Sequence, residues 1–181
     1  SLNGNGLTSF DNLGAFSFAA WLSPNSGIAN GARIIQKSRV NVAGSENIPL
    51  EGWIFMISTS ATRGLEFTVD YDTTDLLVRT SNSVLPIAGV WQHVAFTWDG
   101  STNANNVKMY INGVPVTSFS VTQSAVGSRL SDVTPFLIVG HETVNVSNPR
   151  GYRGNIDEIQ IFNRVLNPSE IKALMSGFSP T

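Results

Sequence analysis

The chain predicts an all-β fold: a two-sheet antiparallel β-sandwich of jelly-roll type, with one short helix at the C-terminal end. Three observations carry this. About ten short segments alternate apolar and polar residues with a period of two, the mark of a strand with one buried face. Turn residues separate these segments at regular intervals. A helical stripe occurs only in the tail. With 181 residues, 41% of them apolar, the sequence reads as a single domain over 1–181 with a sizeable core.

The elements follow in order. Phe16, Phe18, Ala20 and Leu22 alternate with Ser17, Ala19 and Trp21, and Ser23-Pro24-Asn25 closes that strand. Ile34 to Lys37 is a short strand, and Trp53 to Ser58 is a nearly continuous apolar run of strand length. Leu65, Phe67 and Val69 alternate with Glu66 and Thr68. The turn Tyr71-Asp72-Thr73-Thr74-Asp75 then returns the chain as Leu76 to Thr80. The next stretch is the most explicit. Val94, Phe96 and Trp98 alternate with Ala95 and Thr97 up to Asp99-Gly100, and Val107, Met109 and Ile111 alternate with Lys108 and Tyr110. Asn112-Gly113 supplies two residues that tolerate positive φ, as a type I′ hairpin turn requires. Val114, Val116 and Phe119 are expected on the return strand, which makes three adjacent strands whose edges need cover. A polar loop is expected after Phe119, then strands at Phe136 to Gly140 and Gly154 to Phe162. In the tail Asn167 can cap a helix, Pro168 suits its first position and Glu170 completes a capping box. Ile171 and Leu174 give the apolar stripe, and Gly177 stops it. Two segments, 38–52 and 141–152, lack periodicity, and irregular loops of such length are often functional.

Composition excludes several kinds of chemistry. Charged residues are 13% of the chain, half the usual ~25%. Asn, Ser, Thr and Gly supply the polarity instead, a mix that hydrogen-bonds neutral ligands. The net charge of −2 and the lack of any basic block leave no electrostatic footprint for nucleic acid. Without cysteine there is no disulfide framework, thiolate zinc site or thiol nucleophile. No apolar run is long enough to span a bilayer. No signal peptide is visible, and the chain opens on Ser1-Leu2 without methionine. It therefore reads as a domain of a longer precursor.

Enzymatic motifs are missing as well. Glycoside hydrolysis needs two carboxyls flanking the bond, and folds that place Glu, Asp and Glu at alternating positions of one strand have no counterpart here. Asp157 and Glu158 are adjacent, so on a strand they point to opposite faces. Of the two histidines, His93 lies inside a strand and reads as a structural hydrogen-bonding residue, while His141 opens a loop and suits a binding surface. Asp70, Asp72 and Asp75 lack the glycine and glutamate spacing of an EF-hand loop and read as a solvated turn. Sugar binding fits better, since it needs ring faces and a few well-placed polar groups. The candidates are Trp53, His141, Glu142, Asn145, Tyr152 and Arg153 from the two long loops and their flanks, with Tyr71, Asp72 and Arg79 on another turn and its strand. Trp53 is also readable as core. Trp21, Trp91 and Trp98 are assigned to the core.

Five blocks also match a family pattern in order: Phe18-Ala-Ala-Trp21-Leu-Ser-Pro24, Trp91-Gln-His93-Val-Ala-Phe-Thr-Trp98-Asp99-Gly100, Val107-Lys-Met-Tyr-Ile-Asn-Gly113, Leu137-Ile-Val-Gly140, and Gly154 through Ile171. Over almost its whole length the chain resembles the laminin G-like and pentraxin-like domains of the concanavalin A-like fold. The resemblance implies a two-sheet jelly roll, often one structural calcium, and a lectin-like or adhesive role outside the cell. It implies neighbouring first and last strands, so that Asp157, Asn3 and Asn5 could offer calcium oxygens. Asp157 could instead hydrogen-bond backbone amides. The first turn, Asn3-Gly4-Asn5-Gly6, lacks the carboxylates usual there. The expected function is a non-catalytic carbohydrate-binding or adhesion module of a secreted bacterial multidomain protein, at the cell surface or beyond it, with a glycan or polysaccharide as partner. The alternative is a protein-binding or spacer domain, and a glycan-active enzyme comes third.

Overall fold

The computed structural model describes residues 8–38, 51–60, 64–82, 84–85, 88–133, 135–141 and 150–176. These form two antiparallel sheets. The five-stranded sheet contains β1 (Phe16–Pro24), β6 (Gln92–Trp98), β7 (Lys108–Ile111), β8 (Val114–Pro115) and β11 (Gly154–Phe162), in the order β11-β1-β6-β7-β8. The six-stranded sheet contains β2 (Arg33–Ser38), β3 (Gly52–Ile57), β4 (Leu65–Val69), β5 (Leu76–Thr80), β9 (Phe119–Gln123) and β10 (Leu137–Val139), in the order β10-β2-β3-β4-β5-β9. One helix, α1 (Pro168–Ala173), follows the last strand.

The alternating residues meet between the sheets as expected. Phe16, Phe18 and Phe96 of one sheet pack on Trp53, Phe55 and Phe67 of the other, all buried. The Phe67 and Phe96 rings lie 4.3 Å apart and the Phe55 and Phe96 rings 4.9 Å apart, contacts worth a little more than their buried area. The hairpin between β7 and β8 has φ of 50° at Asn112 and 73° at Gly113, the signs its turn demands.

The structure corrects three expectations. The return strand β8 ends at Pro115, which has no N–H to extend the ladder, and Phe119 belongs to the opposite sheet. There it opens β9, paired with β5 through Thr80, where a polar loop was expected. Trp21 and Trp91 are partly exposed and not core. The third concerns β1 and β6, which bury nearly all of their residues on both faces rather than one. The cause is the tail. Ile171 and Leu166 are buried against Ala19, Ala95 and Tyr110 on the outer face of the five-stranded sheet. The small side chains at positions 19 and 95 leave room for the helix. Its start carries the expected capping box: Asn167 Oδ1 accepts from Glu170 N at 3.0 Å, and Glu170 Oε2 accepts from Asn167 N at 2.8 Å.

At one end of the six-stranded sheet, the turn at 70–75 is joined to 126–130. Tyr71 bridges to Arg129 and Thr74 to Val126, while Asp72 Oδ1 accepts from Ser128 N at 2.9 Å. Gly127, at φ 95°, sits where a Cβ would fall 1.8 Å from that carboxylate oxygen. This clamp fixes the position of Asp75.

Candidate functional site

The outer face of the six-stranded sheet is different in kind. Since Leu65, Phe67 and Val69 point inward, Glu66 and Thr68 must point outward. Register then sets their neighbours. Glu66 lies between Met56 and Arg79, and Thr68 lies between Ile54 and Leu77, with Gln123 beyond. Gln36 and Ile54, at the β2–β3 end, are fully buried. The β4–β5–β9 half opens into a pocket of about 260 Å³ whose walls are Thr59, Ser60, Glu66, Thr68, Asp75, Leu77, Arg79 and Gln123.

An ion pair anchors this pocket. Arg79 Nε donates to Glu66 Oε2 at 2.7 Å, and Glu66 is only 2% exposed. The same oxygen accepts from Ser58 Oγ at 3.2 Å, Thr59 N at 3.1 Å and Thr59 Oγ1 at 3.1 Å. Arg79 Nη2 reaches Thr59 Oγ1 at 3.2 Å. Glu66 thus uses Oε2 to hold the loop after β3 to the β4–β5 hairpin, while Oε1 has only a 3.5 Å contact from Thr59 Oγ1. Asp75 Oδ1 accepts from Tyr71 N at 2.9 Å, and Gln123 Nε2 donates to the Asp75 carbonyl at 3.0 Å. Thr68 Oγ1 is buried and has no protein partner. Beside the pocket, burial pushes the Asp70 carboxyl up to about 8, helped by the Asp75 carboxylate next to it.

Of the residues expected from sequence, Arg79 lines this pocket. Asp72 is exposed on the adjoining turn but spends Oδ1 on that turn's clamp. The expectation that Trp53 and Tyr71 present ring faces to a ligand is corrected: Trp53 is fully buried and Tyr71 only 7% exposed, both within the core cluster. Trp53 faces inward from β3, and Tyr71, just past β4, continues the inward alternation of Leu65, Phe67 and Val69. His141, Tyr152 and Arg153 lie beside β10 and β11, with Tyr152 N donating to Gly140 O at 2.8 Å. Four strand spacings, roughly 19 Å, separate β10 from Arg79 on β5, so the two sets do not share a site. His141 and Arg153 are exposed, whereas the Tyr152 hydroxyl is buried without a partner and burial raises its pKa. Glu142 and Asn145 lie outside the described residues, as do Asn3 and Asn5.

Sequence reasoning missed Glu66, Thr59, Ser60, Thr68, Asp75, Leu77 and Gln123 as pocket residues. A signal was present for the first: with Val69 opposite Leu76 in the predicted hairpin, counting back sets Glu66 opposite Arg79.

Asp157 is exposed on β11, in register with Trp21 of β1. The last strand pairs with β1, whereas the N-terminal turn expected to bring Asn3 and Asn5 to Asp157 lies outside the described residues. Asp157 Oδ1 accepts from Glu158 N at 2.8 Å, at a bulge where Glu158 takes φ 50°. Among the described residues no three His, Cys, Asp or Glu side chains gather as a metal cage.

A family model of laminin G type, described as concanavalin A-like lectin/glucanases superfamily, matches residues 3–172. The chain belongs to this superfamily. No match is found among curated proteins. Among solved structures, a SAP-like pentraxin from Limulus polyphemus superposes with a TM-score of 0.56 at 15% identity, over 91% of this chain and 70% of the pentraxin. The CBM40 of the Ruminococcus gnavus IT-sialidase, bound to α2,3-sialyllactose, gives 0.56 at 13% identity over 91% of this chain and 84% of that one. A Trypanosoma rangeli sialidase gives 0.53 at 19% identity over 89% of this chain but only 22% of the enzyme. At such identities these superpositions establish the shared fold.

Proposed function

We propose that this domain is a non-catalytic carbohydrate-binding module of a secreted bacterial multidomain protein, acting outside the cell, and that it takes a glycan on the outer face of the six-stranded sheet. The observation that carries the reading is the open polar pocket there, in which Thr68 and Gln123 keep hydrogen-bonding capacity that the protein does not use. Sugar hydroxyls are the natural partners for such groups, and Leu77 gives an apolar surface for a ring face. Superposition on a carbohydrate-binding module agrees with it. Support for a non-catalytic role comes from Glu66, which is 2% exposed and whose Oε2 is held by Arg79, Ser58 and Thr59 as a structural anchor. No helix among the described residues is long and apolar enough to cross a membrane. A glycan array followed by titration calorimetry tests the proposal: binding to at least one glycan without bond cleavage is expected, and silence across plant, algal and host glycans would sink it.

One structural calcium belongs to the same proposal, with Asp157 giving a carboxylate oxygen and Asn3 and Asn5 amide oxygens. Calcium accepts such hard neutral donors alongside a carboxylate. A bound ion adds stability that grows with its free concentration, so a melting temperature that does not fall in EDTA would remove it. A protein-binding role is the second reading, favoured by the exposed apolar residues Val133, Phe136 and Val139 in and beside edge strand β10.

A further inference from the structure

We infer that the pocket is built for a neutral, hydroxyl-rich sugar and discriminates against sugars that carry a carboxylate; this rests on the glycan reading above and names its ligand class. An arginine in a sugar-sized pocket ordinarily suggests a carboxylate receptor, because the guanidinium fork matches a carboxylate in geometry and charge. Arg79 is the cation of the pocket wall among the described residues, and its surroundings weaken that role. The Nε–Nη2 edge, one of the two edges that take a carboxylate as a fork, is filled from within the protein by Glu66 Oε2 at 2.7 Å and Thr59 Oγ1 at 3.2 Å. Glu66 also cancels the charge at contact distance.

Asp75 then adds a further carboxylate to the wall. Among the described residues it pairs with no cation; its Oδ1 holds the Tyr71 amide. A carboxylate ligand would meet this like charge in a half-enclosed cleft, where the interaction is stronger than in bulk water. What the pocket leaves available is hydroxyl chemistry. Thr68 lines the pocket wall, and its Oγ1 is buried and unpartnered just beneath that surface. Gln123 spends its amide N–H on the Asp75 carbonyl and keeps its oxygen as an acceptor. The domain would therefore differ in ligand class from the sialyllactose-bound module that shares its fold.

The test is titration calorimetry on the intact chain at low ionic strength with matched pairs: lactose against 3′-sialyllactose, and galactose oligomers against galacturonic acid oligomers. A neutral member is expected to bind, and its acidic partner to bind about tenfold more weakly or worse. Asp75→Asn keeps the acceptor for the Tyr71 amide and should narrow that gap. If the variant does not fold, raising the salt on the native chain should narrow it instead, because screening weakens the repulsion. An acidic member that binds as tightly as its neutral partner overturns the inference and leaves the glycan reading standing. So does a gap that neither Asp75→Asn nor salt changes. Silence from both pairs and from a wider neutral array removes both.

Discussion

The two outer faces of this sandwich are treated in opposite ways. On the five-stranded sheet, the chain covers its own surface: Ala19 and Ala95 clear a space, and Leu166 and Ile171 fill it from the tail. On the six-stranded sheet, the corresponding positions carry Glu66, Thr68 and Arg79, and the β4–β9 half stays open. On the first face Ser17 Oγ ties the sheet to the tail, donating to Arg164 O at 2.8 Å and accepting from Leu166 N at 3.0 Å, although His93 Nδ1 there is buried without a partner. On the second face Thr68 Oγ1 is left with nothing. An unpaired buried hydroxyl costs stability, and what sets Thr68 apart from the other unpaired groups is that it lines an open pocket. The closed face serves stability, and the open face serves binding.

The largest expected effect comes from breaking the closed face. Ile171→Ala removes a fully buried side chain from a contact that the short helix cannot replace, and isoleucine-to-alanine changes in cores cost about 2–5 kcal/mol. Chemical denaturation should show a loss in that range, with glycan affinity unchanged where the variant is folded. A loss under 1 kcal/mol would mean that the tail is not a structural cover, and the contrast between faces would fail.

A second pair of effects separates the faces by pH. Asp70 lies at the open face, with its carboxyl pushed up from 3.8 to about 8 by burial and by Asp75. The folded state therefore holds a proton that the unfolded chain has already released. Asp70's contribution to stability is present below about pH 4 and is lost as pH rises toward 8. Asp70→Asn should remove that decline, so the variant gains on the native chain between pH 5 and 8 in thermal melts. His93 lies on the closed face beneath Trp21, the rings 5.5 Å apart, and burial lowers its pKa from 6.5 to about 4. Its sign is reversed: stability is full above 6.5 and falls as pH drops toward 4. Its imidazole resonances should stay at their neutral positions down to about pH 4. Titration near 6.5 would show that this face is wetter than the packing implies.

How much of this was legible follows from what each feature depends on. Strands β4, β5 and β11 were readable to the residue because period-two alternation is local, and the capping box was readable because its partners are three residues apart. The sealing of the outer face by the tail depends on a contact between residues more than seventy positions apart, which alternation does not encode. The strand β9 was missed because Ser120, Thr122 and Gln123 look like loop residues, although Phe119 and Val121 carry the alternation. Aromatic residues are poor guides to the site in this chain. Trp53 and Tyr71 are large apolar bodies that the core claims first, and the pocket is built instead from outward-facing polar residues between inward-facing apolar ones. Arg79 was found, but its partner Glu66 needed the hairpin register as well.

The smallest expected effect on stability carries the sharpest test of the contrast. Thr68→Val replaces the unpartnered hydroxyl with a methyl of nearly the same shape. A threonine whose hydroxyl is satisfied loses a hydrogen bond in this change, about 1 kcal/mol. Thr68 has no such bond to lose, so its melting temperature should hold or rise slightly. Binding should move the other way, because a ligand hydroxyl that paired with Thr68 would face a methyl group, and a roughly tenfold loss of affinity corresponds to one such bond. Thermal melts and calorimetry on the same preparation read both numbers. A clear drop in stability would show that Thr68 has a structural partner, and unchanged affinity would move the ligand away from the β4–β5–β9 pocket. Stability kept and affinity lost is the outcome that only an open, ligand-facing surface can give.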